Sequence, residues 1–191
     1  MLTEKKLQLI ETARQAEREG LCRHKSGNLS LFDRQSGCLL ITPSGLLRQG
    51  LTADDIVVTD LSGSILENLN QNRPSIELMM HAAIYEARPD VSAVVHTHSP
   101  YAAAFAVKGI PIPPVVSEAV FYGQRTAIAA YAPPGSTELA RLAAEAHGDC
   151  DVCLLKNHGL TAVADSLENA YSKAAYAEDV ARIALLSKLL D

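Results

Sequence analysis

The stretch Val94-Val95-His96-Thr97-His98-Ser99-Pro100, VVHTHSP, sets two histidines around one threonine at the end of an apolar run. Successive side chains of a β-strand point to opposite faces. A strand over VSAVVHTH (residues 91–98) therefore puts His96 and His98 on one side, roughly 7 Å apart along the backbone, with Thr97 facing away. Two such imidazoles can converge on one metal ion at about 2.0–2.1 Å each. They can equally be two hydrogen-bonded histidines with no ion between them.

The flanking segments place this strand in a fold. Before it, Pro74 and Ser75 open a helix over SIELMMHAAIYEA (75–87). Its Ile76, Met79, Met80, Ala83 and Ile84 recur at the helical period, and it ends before Pro89, which disfavours helix at Arg88. After the strand, SPYAAAFAVKG (99–109) reads as a helix stopped at Gly109, and the prolines of PIPPVV keep residues 111–116 extended. At the start of the chain, Thr3 caps a first helix that stops at Gly20. GNLSLF (27–32) and CLLITPSG (38–45) read as strands around the turn DRQSG, and DIVVTDLSG (55–63) as a further short strand. TAIAAYAPPG (126–135) is a strand running into a turn. Ser136 caps a helix through His147, DVCLLKNHGLTAVA (151–164) is a hairpin with NHG at its tip, and Asp165 or Ser166 caps a last helix over 167–190. Helices and strands are interleaved, but hairpin signals are frequent. An α/β domain with a mixed, mainly antiparallel sheet covered by helices fits this pattern. The absence of repeats or linkers makes residues 1–191 one expected domain.

Composition narrows the function classes. The chain has 191 residues, 48% of them hydrophobic, and a formal net charge of −5. That is enough for a full core and argues against nucleic acid as the main partner. No apolar run is long enough to span a membrane, and the charged N-terminal segment has no signal-peptide core; a soluble, cytoplasmic protein is expected. Of four cysteines, Cys150 and Cys153 have C-x-x-C spacing. With no second such pair a zinc ribbon is weakly supported, and buried thiols are the plainer reading.

A third ligand for a metal at His96 and His98 has to come from elsewhere. His158 in KNHGL stands at a hairpin tip, where Gly159 permits a positive φ; an ordinary surface histidine is the alternative. Three protein ligands with an open position mark catalytic rather than structural zinc. His24 and His147 sit among charged neighbours and read as solvated. Glu77 lies in the first turn of its helix, where an acid can simply favour the helix dipole or pair with His81 four residues on. Three turns, SGNLS (26–30), TPSG (42–45) and PS (74–75), offer amides and hydroxyls that can hold a phosphate. Each is also an ordinary turn sequence.

Taken together and in order, SGNLS, ITPSG, PSIE, VVHTHSP and KNHGL resemble the class II aldolase/adducin family, nearest its L-fuculose-1-phosphate aldolase type, as do AAYAPPGSTELA and the last helix. Glu77 precedes His96 by 19 residues (96 − 77) and His158 follows His98 by 60 (158 − 98), as in that family. The resemblance implies a three-layer α/β/α fold. It makes His96, His98 and His158 ligands of Zn2+ or another divalent ion such as Mn2+ or Co2+, and Glu77 the acid/base residue. It implies a phosphate site of Gly27, Asn28, Thr42, Ser44, Gly45 and Ser75, and a homotetramer with sites at subunit interfaces. The implied activity is cleavage of a ketose phosphate to dihydroxyacetone phosphate and an aldehyde. Related metal-dependent epimerases, oxo-tetronate-phosphate decarboxylases and dehydratases, and a non-catalytic adducin-like module, are alternatives. Two departures stand out. Ile76 replaces the second hydroxyl residue before the acid. The family's tyrosines also lack counterparts: none occurs near Val115, and the chain stops at Asp191 where the family's tail would follow. Tyr122 and Glu118 are the nearest candidates to substitute.

Overall fold

A computed structural model describes residues 2–121 and 125–190, without the side chains of Val120 and Phe121. The chain runs α1 (Leu2–Arg18), β1 (Asn28–Asp33), β2 (Cys38–Ile41), β3 (Val57–Thr59), β4 (Ile65–Glu67), α2 (Leu78–Ala87) and β5 (Ala93–Thr97). It continues through α3 (Pro100–Lys108), α4 (Ser117–Phe121), β6 (Thr126–Ala129), α5 (Thr137–His147), β7 (Val152–Leu155), β8 (Gly159–Ala164) and α6 (Leu167–Ser187). The strands form one sheet in the order β4-β3-β2-β1-β5-β8-β7-β6. All neighbours pair antiparallel except β6 with β7.

Strand alternation builds two cores on the two faces of this sheet. On β5, Ala93 and Val95 pack with Leu9 of α1, Phe105 of α3 and Ala174 of α6. Val94 points the other way, into a core with Met80 and Ile84 of α2 and Leu139 of α5. The result is the three-layer α/β/α arrangement that the family resemblance implied. His96 shares the face of Val94 and lies in a cross-strand row with Asn28 of β1 and Thr161 of β8. The helix after the histidines is pinned by α6: the buried Glu178 carboxylate accepts from the Tyr101 and Ala102 amides at 3.0 and 2.8 Å. An acid at that helix start complements the exposed N–H groups and the dipole.

Several elements differ from the sequence reading. The helix expected from Ser75 begins at Leu78, and two residues assigned to its apolar face, Ile76 and Met79, are 65% and 39% exposed. Met80 and Ile84 are buried as expected, and Leu78 and Tyr85 join them on the inward face. The strand CLLITPSG ends at Ile41; beyond it, Pro43 bridges to Pro74 and the Ser44 amide donates to the Arg73 carbonyl at 2.8 Å. The edge strand β4, exposed at Ile65 and Leu66, had no alternating pattern to reveal it. Ser166, not Asp165, caps α6 by accepting from the Asn169 amide.

Two glycines let the histidine-bearing backbone be approached closely. Gly159 has no positive φ; the left-handed residue at that tip is Asn157, at φ 57°. A Cβ on Gly159 would instead stand 2.3 Å from the Thr97 carbonyl oxygen. On the other side of β5, a Cβ on Gly27 would meet the His96 carbonyl oxygen at 2.6 Å and Cys22 Sγ at 2.7 Å. Gly159→Ala forces backbone apart, and we expect urea unfolding to show a loss of about 2–3 kcal/mol. Gly37→Ala, at positive φ but facing open space, should cost only about 1 kcal/mol. Equal losses would contradict the close-approach account.

Candidate metal centre

Three imidazole rings and one carboxylate meet at the end of β5. His96 is the last but one residue of β5 and His98 follows the strand directly, so alternation turns both rings to the same face. His158 reaches them from the β7–β8 hairpin. The three ring centroids are mutually 4.8 Å apart, with planes inclined at 70°, 71° and 83°. His96 Nε2 lies 2.9 Å from His98 Nε2. Glu77 closes the group, with Oε2 3.1 Å from His96 Nε2 and Oε1 3.2 Å from His158 Nε2. One ligand atom from each of the four lies within 4.8 Å of every other.

The hydrogen bonds around the rings decide which lone pairs are free. His96 Nδ1 is 2.9 Å from the Leu160 carbonyl oxygen. A carbonyl only accepts, so Nδ1 carries the hydrogen and Nε2 presents a lone pair to the cluster. Burial pushes His98 down to about 3 and His158 to about 4, with the neighbouring His96 ring adding to both. Burial opposes ionisation of Glu77, but positive charge at the His96 and His158 positions and the Asn28 amide more than offset it, holding the carboxyl well below its usual range; a cation among the rings would act in the same sense. Glu77 Oε1 and His158 Nδ1 are buried with no hydrogen-bond partner. Neutral imidazole donors, an ionised carboxylate and an orphaned buried oxygen at one point make a donor set that fits a divalent cation.

Glu77 does not lie in the first turn of α2, where its sequence position put it. It is the N-cap of α2, at φ −98° and ψ 14°, and is only 3% exposed. Its contact with His81 is indirect, since both bond the Asn28 amide. His147 likewise corrects the sequence reading, while His24 is exposed as expected. Although flanked by charges in sequence, His147 lies on the inward face of α5, 1% exposed. Its Nδ1 donates to the Cys150 carbonyl and its Nε2 meets the Thr161 hydroxyl, both at 2.9 Å. The cysteines are all free, and Cys153 is buried in the α2/α5 core, the plainer of its two readings.

A cavity of about 230 Å³ opens beside the cluster. Gly27, Asn28, Ser44, Gly45, Ser75, Glu77, His98 and His158, all singled out in the sequence, line it. Thr42 does not; its hydroxyl stands behind the wall and accepts from the Leu29 amide at 3.2 Å. Asn28 lines the cavity, but both ends of its side chain are engaged with Glu77 and His81. Ile76 and Pro134 add an apolar wall, and Lys25 a cation at the mouth. The sequence reading passed over Lys25, although a lysine directly before the glycine turn was a visible signal. It also missed Arg48, which is 4% exposed and donates to the carbonyls of His24, Ser26 and Gly27 at 3.3, 2.6 and 2.7 Å. Nothing in the spacing of Arg48 foretold that contact. Glu118 lines a separate groove with Asp179 and Arg182 of α6, away from the histidines, and Tyr122 lies outside the described residues.

The Class II Aldolase and Adducin N-terminal domain profile matches residues 7–185, and the chain belongs to that family. It is 35% identical over 183 residues to the 5-deoxy-D-ribulose 1-phosphate aldolase of Bacillus thuringiensis serovar kurstaki, covering 96% of this chain and 85% of that one. It is 41% identical over 174 residues to the 5-methylthioribulose-1-phosphate/5-deoxyribulose-1-phosphate aldolase of Rhodospirillum rubrum, covering 91% and 76%. A solved L-fuculose 1-phosphate aldolase superposes with a TM-score of 0.91 at 34% identity, over 97% of this chain and 86% of the other.

The buried histidines carry a pH dependence. Burial holds His147 at about 4, His81 at about 3 and the two cluster rings similarly low, all below the ordinary 6.5. The unfolded chain therefore binds protons that the folded chain refuses; this stabilisation is complete above about pH 6.5 and is lost as pH falls toward 4. For His147 alone the interval from 6.5 to about 4 corresponds to on the order of 3 kcal/mol. Metal-free protein should unfold at distinctly lower urea at about pH 4.5 than at about pH 7.5. A midpoint unchanged across that window would contradict the burial of these rings in neutral form.

Proposed function

We propose that the protein is a class II aldolase that cleaves a ketose 1-phosphate to dihydroxyacetone phosphate and an aldehyde, with residues 1–191 acting as one domain. The observation that carries this reading is the convergence of His96, His98, His158 and Glu77 beside a cavity whose far wall is made of Gly27, Ser44, Gly45 and Ser75. His96, His98 and His158 hold a divalent cation, zinc being best matched to three imidazoles, with manganese or cobalt as alternatives. When bound, that ion stabilises negative charge developing on the substrate's carbonyl and hydroxyl oxygens by several kcal/mol, roughly.

The chain's own residues do the rest. Breaking the C3–C4 bond leaves an electron pair on C3, conjugated with the C2 carbonyl. The C4 hydroxyl gives up its proton as the bond breaks; Glu77, having taken up one proton in exchange, delivers it to C3, and in the synthetic direction its carboxylate removes a proton from C3. Its Oε1 is the oxygen free to do so, since Oε2 is held by Asn28 at 3.0 Å. The Ser44 and Ser75 hydroxyls and the amides of the Gly27 and Gly45 turns donate to the phosphate. Lys25 adds charge at the entrance, and Arg48 holds the Gly27 turn in place. Binding at that end serves orientation of the bond to be broken. Among the described residues lining the cavity there is no tyrosine to handle the C4 hydroxyl proton. The family resemblance implies a homotetramer with sites at subunit interfaces, and the exposed Ile76 at the cavity wall is compatible with a second subunit there. Among the described residues no helix is long and apolar enough to cross a membrane, and four free cysteines suit a reducing cytoplasm.

Purified protein should contain roughly one divalent ion per chain, and His96→Ala should lose it; a full complement in that variant would remove His96 from the centre. Incubation with a panel of ketose 1-phosphates and oxo-acid phosphates should yield dihydroxyacetone phosphate and an aldehyde. Carbon dioxide, or an epimer without free aldehyde, would instead place the chemistry with the decarboxylases or epimerases. Glu77→Gln should keep the ion but slow hydrogen exchange at C3 of dihydroxyacetone phosphate by at least about 100-fold.

A further inference from the structure

Behind Glu77 runs a buried hydrogen-bonded chain that the proposed reaction does not itself use. Asn28 Nδ2 is 3.0 Å from Glu77 Oε2, and Asn28 Oδ1 is 2.5 Å from His81 Nε2. His81 Nδ1 is 2.6 Å from Ser30 Oγ, which is 2.7 Å from Tyr85 Oη. Ser30, His81 and Tyr85 are 0% exposed and Asn28 is 7% exposed. The members come from two elements facing each other across the α2 side of the sheet. Asn28 and Ser30 are alternate residues of β1; His81 and Tyr85 are one turn apart on α2.

Only one direction of donation satisfies every member. An ionised carboxylate accepts and cannot donate, so the Asn28 amide must turn its NH2 to Glu77 and its oxygen to His81. That oxygen only accepts, so His81 Nε2 carries hydrogen. A neutral imidazole carries one ring hydrogen, which leaves Nδ1 as an acceptor and obliges the Ser30 hydroxyl to donate to it. Ser30 Oγ then accepts from the Tyr85 hydroxyl. His81 has no carboxylate against it, and burial keeps it neutral, pushed down to about 3. Each hydrogen bond fixes the next, as expected for a fully satisfied buried network.

We propose that His81 is a positioning residue for the acid/base group: as the Nε2–H tautomer, with the Ser30 hydroxyl donating to its Nδ1, it holds the Asn28 oxygen and so steadies the amide whose NH2 ties one oxygen of Glu77, the other being left to move protons. This rests on the aldolase reading for its catalytic consequence, though not for the tautomer. Without the Nε2 hydrogen, the buried Asn28 oxygen is left with no donor, and the amide loses the bond that holds its NH2 in place against Glu77. Glu77 is then less firmly held on its tied side. Apolar replacement of His81 should therefore impair proton transfer more than substrate binding.

Two measurements test this on the metal-loaded protein. Proton–nitrogen correlation spectra with isotope-labelled histidine, assigned by the signals lost in His81→Gln, should show His81 with its hydrogen on Nε2 and a bare Nδ1. A hydrogen on Nδ1, or on both nitrogens, would overturn the proposal, whatever the enzyme's substrate. In parallel, His81→Leu should keep its metal and a KM within about 3-fold, while kcat and C3 hydrogen exchange fall by about 100-fold. His81→Gln, whose amide NH2 can reach the place of Nε2–H, should recover at least about tenfold of that loss. Exchange in His81→Leu at the parent's rate, or a Gln variant no better than the Leu one, would also overturn it. If His81→Leu does not fold, the tautomer and the Gln variant still decide. If the parent protein exchanges no hydrogen, the aldolase reading fails while the tautomer still tests the chain.

Discussion

Two imidazole nitrogens 2.9 Å apart, one of them left bare because its ring gives its hydrogen to a backbone carbonyl, repel unless something positive lies between them. A third ring and an ionised carboxylate crowd onto the same point. In water such a group would scatter; here burial and packing hold it together. The cost of gathering neutral donors and one negative charge in a low-dielectric place is recovered only when a cation or protons are shared among them. The chemistry we propose depends on that constraint, because rings forced to aim inward are already arranged around a small ion.

The fold exists in a form that makes this convergence cheap in backbone terms. β5 is central, flanked by β1 and β8, so both neighbours can bring groups to its end in fixed register. β1 supplies Asn28 and the Gly27 turn, and β8 is preceded by the hairpin that carries His158. Gly27 and Gly159 allow close approach to the backbone of His96 and Thr97. From the α2 side, Glu77 enters as an N-cap, before the first helical turn, and the Asn28 amide receives it. The two cavity-lining turns around Ser44 and Ser75 are joined by the Pro43–Pro74 bridge, so the parts proposed to hold the substrate's two ends belong to one scaffold.

Much of this was legible in the residues. The period-two spacing of His96 and His98 gave their shared face, the NHG tip gave a histidine outside regular pairing, and alternation of hairpins with helices gave the layered sheet. What was not legible has physical causes. The helix after Ser75 starts only at Leu78, which leaves Ile76 outside it and exposed, and Met79 stands on its outer side. His147 looked solvated because its sequence neighbours are charged, yet helical periodicity turns it inward to Thr161. Gly159 was credited with backbone freedom when it serves by lacking a side chain, a distinction only three-dimensional contact reveals. The interior bonds of Arg48 and His81 are long-range and leave no local pattern.

The central claim is that the three Nε2 atoms of His96, His98 and His158 grip one cation. Anomalous diffraction from crystals grown with zinc tests it most directly. The account predicts a single strong peak about 2.0–2.1 Å from all three Nε2 atoms. A strong peak bound elsewhere, with the three rings splayed and sharing no density, would contradict it.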